Sequence, residues 1–187
     1  EKKITVGIDR RAPYTETDRR AQFEAAKKAS DLFGTMSDLV GKIDAARTSA
    51  DAVAGQLKEG DATLPRLAAL GAKLDEVKKK IVATKEGGDI TGEERLREHL
   101  DYLYGALNGW EGKPAAYQLE RLSVLSQELA EVSKEFDALA AKEIAPLNDE
   151  LKAKGLGPIA FAVPRETEPS SGAIAGAGAA WRSLRSR

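Results

Sequence analysis

Residues 114–155 read PAAYQLERLSVLSQELAEVSKEFDALAAKEIAPLNDELKAKG. Apolar side chains recur here every three or four residues, which is the a/d seam of a helix that packs against other helices. The seam consists of Leu122, Leu125, Leu129, Val132, Phe136 and Leu139. Pro114 suits a first helical turn and Gly155 suits a left-handed cap. A helix of this length needs helices of similar length beside it, so the stretch predicts a helical bundle.

The composition is that of one helical domain. Of the 187 residues, 32% are charged and only 5% are aromatic, a mix that favours helices over a sheet. Basic and acidic residues number 29 and 30, which leaves a formal net charge of −1 and no overall field that attracts nucleic acid. There is no cysteine, so disulfides and thiolate metal sites are excluded. No apolar run approaches the ~20 residues of a membrane span.

Three further segments have a helical period. We expect helix 1 to begin at Thr15 or Thr17, and helix 3 to open with a capping box formed by Thr91 and Glu94. Pro146 predicts a kink or a short break in helix 4. The apolar face of helix 1 comprises Phe23, Ala26, Ala29, Leu32, Phe33, Met36, Val40 and Ile43. Helix 2, which follows Pro65, has Leu67, Leu70, Leu74, Val77 and Ile81, and helix 3 has Leu96, Leu100, Leu103 and Leu107.

The predicted fold is therefore all-α: an antiparallel four-helix bundle over residues 14–155, with a short N-terminal β-strand and an irregular C-terminal tail. The strand lies within residues 1–13, where Ile4, Val6 and Ile8 alternate with other residues. A lone strand leaves its ladder groups unpaired, so it either frays or completes a sheet of a preceding β-rich domain or another subunit. Because the chain starts at Glu1 without a methionine, we expect a processed or excised piece.

The tail, residues 156–187, is rich in Pro, Ser, Gly and Ala and has little means of forming a core. It ends in Trp181 and Leu184 among three arginines, so it either lacks order or docks onto a partner or a parent protein. Trp110 contributes a large, polar-tipped side chain at the end of helix 3. The candidate interaction residues are Ile4, Val6, Ile8, Trp110, Trp181 and Leu184.

Motifs that carry chemistry are not found in this sequence. His99 is the only histidine, whereas a di-iron bundle needs a Glu-x-x-His motif on two helices. The Gly87-Gly88 pair lacks the Lys-Ser/Thr of a phosphate loop, and no serine stands in a Gly-x-Ser-x-Gly elbow. The basic run 78–80 has no interleaved aromatic residue of the kind that binds single-stranded nucleic acid. We therefore predict no catalytic, cofactor-binding or metal-binding residue in this chain.

Several stretches together resemble one protein family. They are residues 9–13 (DRRAP), 18–23 (DRRAQF), 92–104 (GEERLREHLDYLY), 114–118 (PAAYQ) and 147–159 (LNDELKAKGLGPI). These look like the C-terminal region of large bacterial proteins with sortilin-like (BNR/Asp-box) β-propellers, often labelled glycosyl hydrolases. The resemblance runs from the first strand to Ile159, with Arg10 in place of the family's proline.

The resemblance carries implications for location and activity. In that family the strand closes a β-sandwich that follows the propellers, and any sugar site lies in the propellers, which this chain lacks. No catalytic residue can be carried over. Such proteins are generally exported, which implies a periplasmic or extracellular location.

The function that we prefer at this point is a non-catalytic assembly or docking module of a secreted bacterial propeller-type protein, with an oligomer possible. One alternative is an accessory region of a glycoside hydrolase whose active site lies in another domain or chain. A second alternative is a free-standing helical adaptor. In each case the expected partner is a protein, rather than nucleic acid or a membrane.

Overall fold

The computed structural model describes residues 2–4, 7, 9, 11–84 and 92–162. Within these ranges all regular secondary structure is helical, which confirms the predicted all-α class. The elements are α1 (Glu16–Ala54), α2 (Leu64–Lys79), α3 (Leu96–Gly109), α4 (Ala116–Leu139), a π-helical turn (Ala140–Ile144) and α5 (Ala145–Ala153). The predicted N-terminal strand and the antiparallel four-helix arrangement are not confirmed.

The N-terminal residues that the structure describes do not form a strand. Lys2, Lys3 and Ile4 have no regular secondary structure, and the Ile4 side chain is 84% exposed. A strand needs a neighbouring edge to pair its N–H and C=O groups, and the described part of this chain contains no sheet. Val6 and Ile8, the other two residues of the predicted strand, lie outside the described residues.

Helix α1 begins at one of its two predicted starts. Thr15 is the N-cap residue: its backbone N–H donates to Asp18 Oδ2 (3.0 Å), and the Asp18 N–H donates to Thr15 Oγ1 (3.1 Å). This reciprocal capping box satisfies two donors that the first helical turn would otherwise leave unpaired. Acidic side chains in this turn also suit the positive end of the helix dipole.

The predicted seams of α2, α3 and α4 form one apolar core together with α1. Every residue of the predicted α2 and α3 seams is buried. In the α4 seam, Leu139 is only partly buried. On α1 the prediction was partly wrong: Phe23 is 64% exposed, and Leu39, which the pattern did not single out, is buried. Alanines and larger apolar residues occur on several sides of α1, so its period alone does not decide which side faces the core.

Helices α2 and α3 lie one after the other along α1. Lys78 of α2 donates to Asp44 in the second half of α1 (2.7 Å). In the first half, the Phe33 ring meets Tyr104 of α3 edge-on, with centroids 5.8 Å apart. Helix α4 contacts α1, α2 and α3, whereas α2 and α3 have little contact with each other. This sequential placement explains why four helices of similar length side by side were not found.

Helix α3 begins later than predicted. Its first residue is Leu96, and the Arg95 N–H before it donates to Glu98 Oε2 (2.9 Å). The Arg97 N–H donates to the carbonyl of Ile81, at the end of α2 (3.0 Å). The start of α3 is therefore set by a contact with another part of the chain, which a local capping pattern does not reveal. Thr91, the predicted cap, lies outside the described residues.

Pro146 does not break the last helix. A proline has no N–H to donate and its ring crowds the carbonyl four residues earlier. Here the backbone widens into the π-helical turn Ala140–Ile144, in which the Ala145 N–H donates to the Ala140 carbonyl, and the helix continues into α5. The predicted kink or break is thus replaced by one widened turn. Pro114 lies just before the N-cap of α4 rather than in its first turn.

Gly155 ends α5 in the predicted left-handed conformation, with φ +72°. The Gly155 N–H donates to the Lys152 carbonyl (3.0 Å), and the Leu156 N–H donates to the Leu151 carbonyl (2.9 Å). These two bonds are those of a Schellman motif, which satisfies the last carbonyls of a helix. The motif turns the chain back toward the bundle.

The segment that follows, residues 156–161, packs onto the helices, and we call it the strap. Ile159 is only 2% exposed, and its backbone N–H and C=O both bond the Asn148 side-chain amide (2.7 and 3.3 Å). The Phe161 ring meets Phe136 edge-on, with centroids 5.7 Å apart. Packing therefore extends past the boundary at 155 that the sequence suggested. Residues 163–187 of the predicted tail lie outside the described residues.

Burial of the strap leads to a stability prediction. Ile159→Ala is expected to lower the free energy of unfolding by about 2 to 5 kcal/mol, because it removes a buried branched side chain and leaves a cavity. Ile4→Ala is the matched control, since Ile4 is exposed, and should change it by less than about 0.5 kcal/mol. Urea unfolding followed by circular dichroism measures both. Equal effects of the two substitutions would show that the strap adds nothing to the core.

Candidate interaction site at the α3–α4 turn

Polar clusters in the described residues offer little for catalysis or metal binding. Among residues 11–84 and 92–162, no group of three or more His, Asp or Glu side chains is arranged to hold a metal ion. The His99 Nδ1 lies 3.6 Å from Glu94 Oε2, and both side chains are open to solvent. Nor does any helix in the described ranges combine the length and the apolar character that crossing a bilayer requires. The best-defined feature is instead an exposed aromatic residue on a turn that hydrogen bonds from α1 hold in place.

Trp110 follows the last residue of α3, and its side chain is 65% exposed. Its backbone, by contrast, is held by one side chain of α1. Gln22 Nε2 donates to the carbonyls of Leu107 (2.8 Å) and Trp110, and Gln22 Oε1 accepts from the Gly112 N–H at 3.5 Å. The last carbonyls of a helix have no partner within the helix, so this amide satisfies the end of α3 and fixes the turn.

Gly112 allows the turn to pass close to α1. Its φ is +149°, a conformation that residues with a Cβ rarely adopt, and a Cβ there would lie 2.6 Å from Tyr14 Cε1. Next to it, Glu111 pairs with Arg19 of α1 (2.8 Å). Gly112 packs closely against the Tyr14 ring, whereas the Glu111–Arg19 ion pair is exposed and adds little to stability. Close packing and hydrogen bonds therefore hold the turn more than the ion pair does.

Exposed apolar side chains lie on all three elements that meet at this turn. Phe23 directly follows Gln22 on α1, and Tyr117 is in the first turn of α4; both are exposed. We call Phe23, Trp110 and Tyr117 the aromatic surface. Beside Trp110, Pro114 and Gln118 line a shallow recess. Aromatic residues held on a rigid backbone lose little conformational entropy on binding and are common hot spots of protein interfaces.

The predicted interaction residues lie in different settings, and only two of them are described. Trp110 is exposed on an ordered turn, whereas Ile4 is exposed on a segment without regular structure. Val6, Ile8, Trp181 and Leu184 lie outside the described residues. The described structure therefore does not bring these candidates together into one site, and only Trp110 has a defined setting.

Three residues of the site were missed in the sequence. Gln22 looks like an ordinary surface glutamine, and Tyr14 precedes the first helix with no recognisable motif. Gly112 looks like an ordinary glycine that ends a helix. Their roles depend on contacts between residues about 90 positions apart, such as Gln22 with Gly112. A local pattern contains no signal for such a contact.

At the other end of the molecule, a polar cluster joins the α1–α2 connection to α5. The buried Thr63 Oγ1 donates to Glu150 Oε1 (2.7 Å) and accepts from Lys154 Nζ (2.6 Å). Lys154 Nζ also donates to Asp61 Oδ1 (2.6 Å). Arg66 pairs with the second Glu150 oxygen. Since these groups satisfy one another, the cluster ties two chain segments together and has the character of a structural clamp.

The clamp shifts the proton affinity of both carboxylates. The hydrogen bond from Lys154, followed by the bond from the Thr63 backbone, lowers the pKa of Asp61 from an ordinary 3.8 to about 2. The Thr63 hydroxyl, which donates to it, is the main reason that the pKa of Glu150 is also lowered. In both cases the cause is hydrogen bonding to the charged form rather than burial.

No protein-family model, curated protein or solved structure matches this chain. The resemblance to the C-terminal region of sortilin-like propeller proteins therefore stays a prediction that depends on the quoted residues. Function has to be argued from the geometry described above.

Gly112 supports a prediction about the turn. Gly112→Ala should lower the free energy of unfolding by about 1 to 3 kcal/mol, because the new Cβ meets the Tyr14 ring and the backbone conformation becomes strained. Gly105→Ala is the matched control: this glycine lies inside α3 with open space around it. There, alanine should raise stability by up to about 1 kcal/mol. Chemical denaturation of both variants tests the sign difference, and a stabilised Gly112→Ala would contradict the packing.

The clamp gives a prediction for pH. Because the folded-state pKa of Asp61 lies below its ordinary value, this carboxylate stabilises the fold fully above pH 3.8, and the contribution disappears as the pH falls toward about 2. Asp61→Asn should therefore be less stable than the parent chain at pH 5, with the difference shrinking toward pH 2. Urea midpoints at pH 5, 3 and 2 measure it. A difference that is independent of pH would rule out the charged interaction.

Proposed function

We propose that this chain is a non-catalytic helical module that presents an aromatic surface to a protein partner. The observation that carries the proposal is the contrast at Trp110, whose side chain is exposed while its backbone is fixed by Gln22. A single exposed aromatic side chain is common on protein surfaces, but here another helix also holds its backbone in place. An aromatic anchor held in this way reduces the entropy that binding costs.

The length of the helices supports a role as a rigid spacer. Helix α1 has 39 residues, and the helical run from 116 to 153 is of nearly equal length; at 1.5 Å per residue both are about 57 Å long. We propose that α2 and α3 run antiparallel to these two long helices. For α2, the pairs Thr63 with Glu150 and Lys80 with Glu135 support this, because the residue number rises on one helix as it falls on the other. For α3, the pairs Gln22 with Leu107 and Phe33 with Tyr104 follow the same rule.

Such a module would hold its two ends a fixed distance apart. The aromatic surface lies at the end formed by α3 and α4, and the clamp lies at the opposite end. A core that continues along the whole length resists bending, so a partner bound at the aromatic surface would be positioned relative to whatever the rest of the molecule is attached to. Assembly, rather than chemistry, is the task that this geometry suits.

The partner and location follow from the sequence prediction and are proposed with it. A preceding β-rich domain or another subunit is the expected partner, and Ile4, Val6 and Ile8 would supply a strand to its sheet. A periplasmic or extracellular location rests on the resemblance to exported propeller proteins. The alternative of an accessory region for a glycoside hydrolase rests on the same resemblance, and a free-standing adaptor remains the third candidate.

Site-specific photo-cross-linking tests the proposal. Benzoylphenylalanine is placed at Trp110 in the intact parent protein, or in the source cells, and the adducts are identified by mass spectrometry. Tyr102 is the matched control, because it is an aromatic residue of the preceding helix, α3, with nearly the same exposure, 63%. We expect one specific protein adduct at Trp110 and little at Tyr102.

Two outcomes would count against the proposal. The same adduct pattern at both positions would mean that Trp110 is not a selected contact. Hydrolysis of glycosides by the isolated chain, measured with chromogenic substrates, would contradict a non-catalytic role. Hydrolysis by the parent protein only would favour the accessory-region alternative. Circular dichroism of each variant confirms that the helices are retained.

A further inference from the structure

The described chain leaves a groove open between α2 and α4. Two adjoining cavities of about 280 and 290 Å³ lie along it, and Glu135 lines both. The first is walled mainly by apolar groups, including Ala72, Val77 and Leu139. The second has Leu96 and Val132 together with acidic side chains. The groove therefore offers an apolar floor over one half and an acidic rim over the other.

The rim carries more negative than positive charge. The second cavity is lined by three carboxylates, those of Glu128, Glu131 and Glu135, and by one cation, Lys80. Lys80 pairs closely with Glu135 (2.6 Å), and Arg121 lies 3.8 Å from Glu128. Within the described residues, the Glu131 carboxylate accepts from one uncharged donor, Gln127 Nε2, at 3.1 Å. A ligand that is both apolar and cationic would complement this surface.

One segment of the same chain has that chemistry. We propose that residues 181–187, WRSLRSR, bind in the groove between α2 and α4. Trp181 and Leu184 would occupy the apolar half, and Arg182, Arg185 and Arg187 would face the carboxylates. Guanidinium groups suit this role because they bind carboxylates in a bidentate manner and give up their hydration more readily than ammonium groups.

The length of the connection allows this binding. The described chain ends at Ala162, next to Phe161, whose ring lies against Phe136 of α4. Phe136 directly follows Glu135, so the chain leaves the described structure close to the level of the groove. Residues 163–180 are long enough to reach the groove, because a random coil of this length has an end-to-end distance of about 25 Å and a helix is only about 10 Å across. Tethering at this length keeps the effective concentration high.

Fluorescence of Trp181 tests the proposal in the full chain. The protein has two tryptophans, so Trp110→Phe leaves Trp181 as the only reporter and needs no external partner. If the segment binds in the groove, acrylamide should quench Trp181 at least threefold less efficiently than it quenches the free peptide WRSLRSR, and emission should shift to shorter wavelength. Equal quenching in the protein and in the peptide would overturn the proposal.

Charge reversal then locates the binding surface. In the Trp110→Phe background, Glu128→Lys combined with Glu131→Lys should bring quenching to the level of the free peptide. Glu120→Lys is the control, because it reverses an exposed charge of α4 that does not line the groove. Unchanged protection in the double variant would place the segment elsewhere and refute the assignment. Circular dichroism checks that each variant stays folded.

Varying the protein concentration shows whether the groove binds the segment of the same chain or that of a second copy. Binding within one chain should give the same quenching from low micromolar to about a hundredfold higher protein concentration. Protection that rises with concentration would mean that the segment of a second copy fills the groove, which would overturn the intramolecular proposal. This readout is separate from cross-linking at Trp110, so either proposal can fail while the other stands.

Discussion

Burial of the leucine seams against α1 is the constraint on which the rest of the structure depends. Helices α2 and α3 are short, and neither could stay folded alone in water, where isolated helices of this size are marginal. Each gains its stability by packing the same kind of seam onto a different half of α1, while α4 covers both. The long helix is thus the element that turns several weak helices into one core.

The two ends of this core are closed by different physical means. At one end the Gln22 amide and the Tyr14 ring hold the α3–α4 turn through neutral hydrogen bonds and close packing. At the other end Thr63, Glu150 and Lys154 form a charged clamp. The two carboxylates of the clamp have lowered pKa values, so acid should weaken the clamp. The hydrogen bonds made by the Gln22 amide do not titrate.

Two surfaces emerge as proposed sites of recognition, and they differ in kind. The aromatic surface consists of exposed side chains on two helices and on a hydrogen-bonded turn, which suits a partner that supplies its own pocket. The groove between α2 and α4 is concave and carries an acidic rim, which suits a cationic segment. A helical module with these two surfaces would bind a partner at one place and its own C-terminal segment at the other. Neither role requires a catalytic residue.

The sequence by itself determined the helical class, the seams of α2 and α3, most of the seam of α4 and the left-handed cap at Gly155, and it narrowed the start of α1 to Thr15 or Thr17. Each of these depends on residues within a turn or two of one another, so period and capping rules suffice. Tertiary structure alone decided the core face of α1, the later start of α3, the packing of the strap and the setting of Trp110. Those features depend on contacts such as Gln22 with Gly112 or Asn148 with Ile159. Such contacts form only when folding brings the two residues together, so local patterns do not reveal them. The widened turn before Pro146 belongs with them, since local rules foresaw the disruption while the neighbouring helices kept the chain helical.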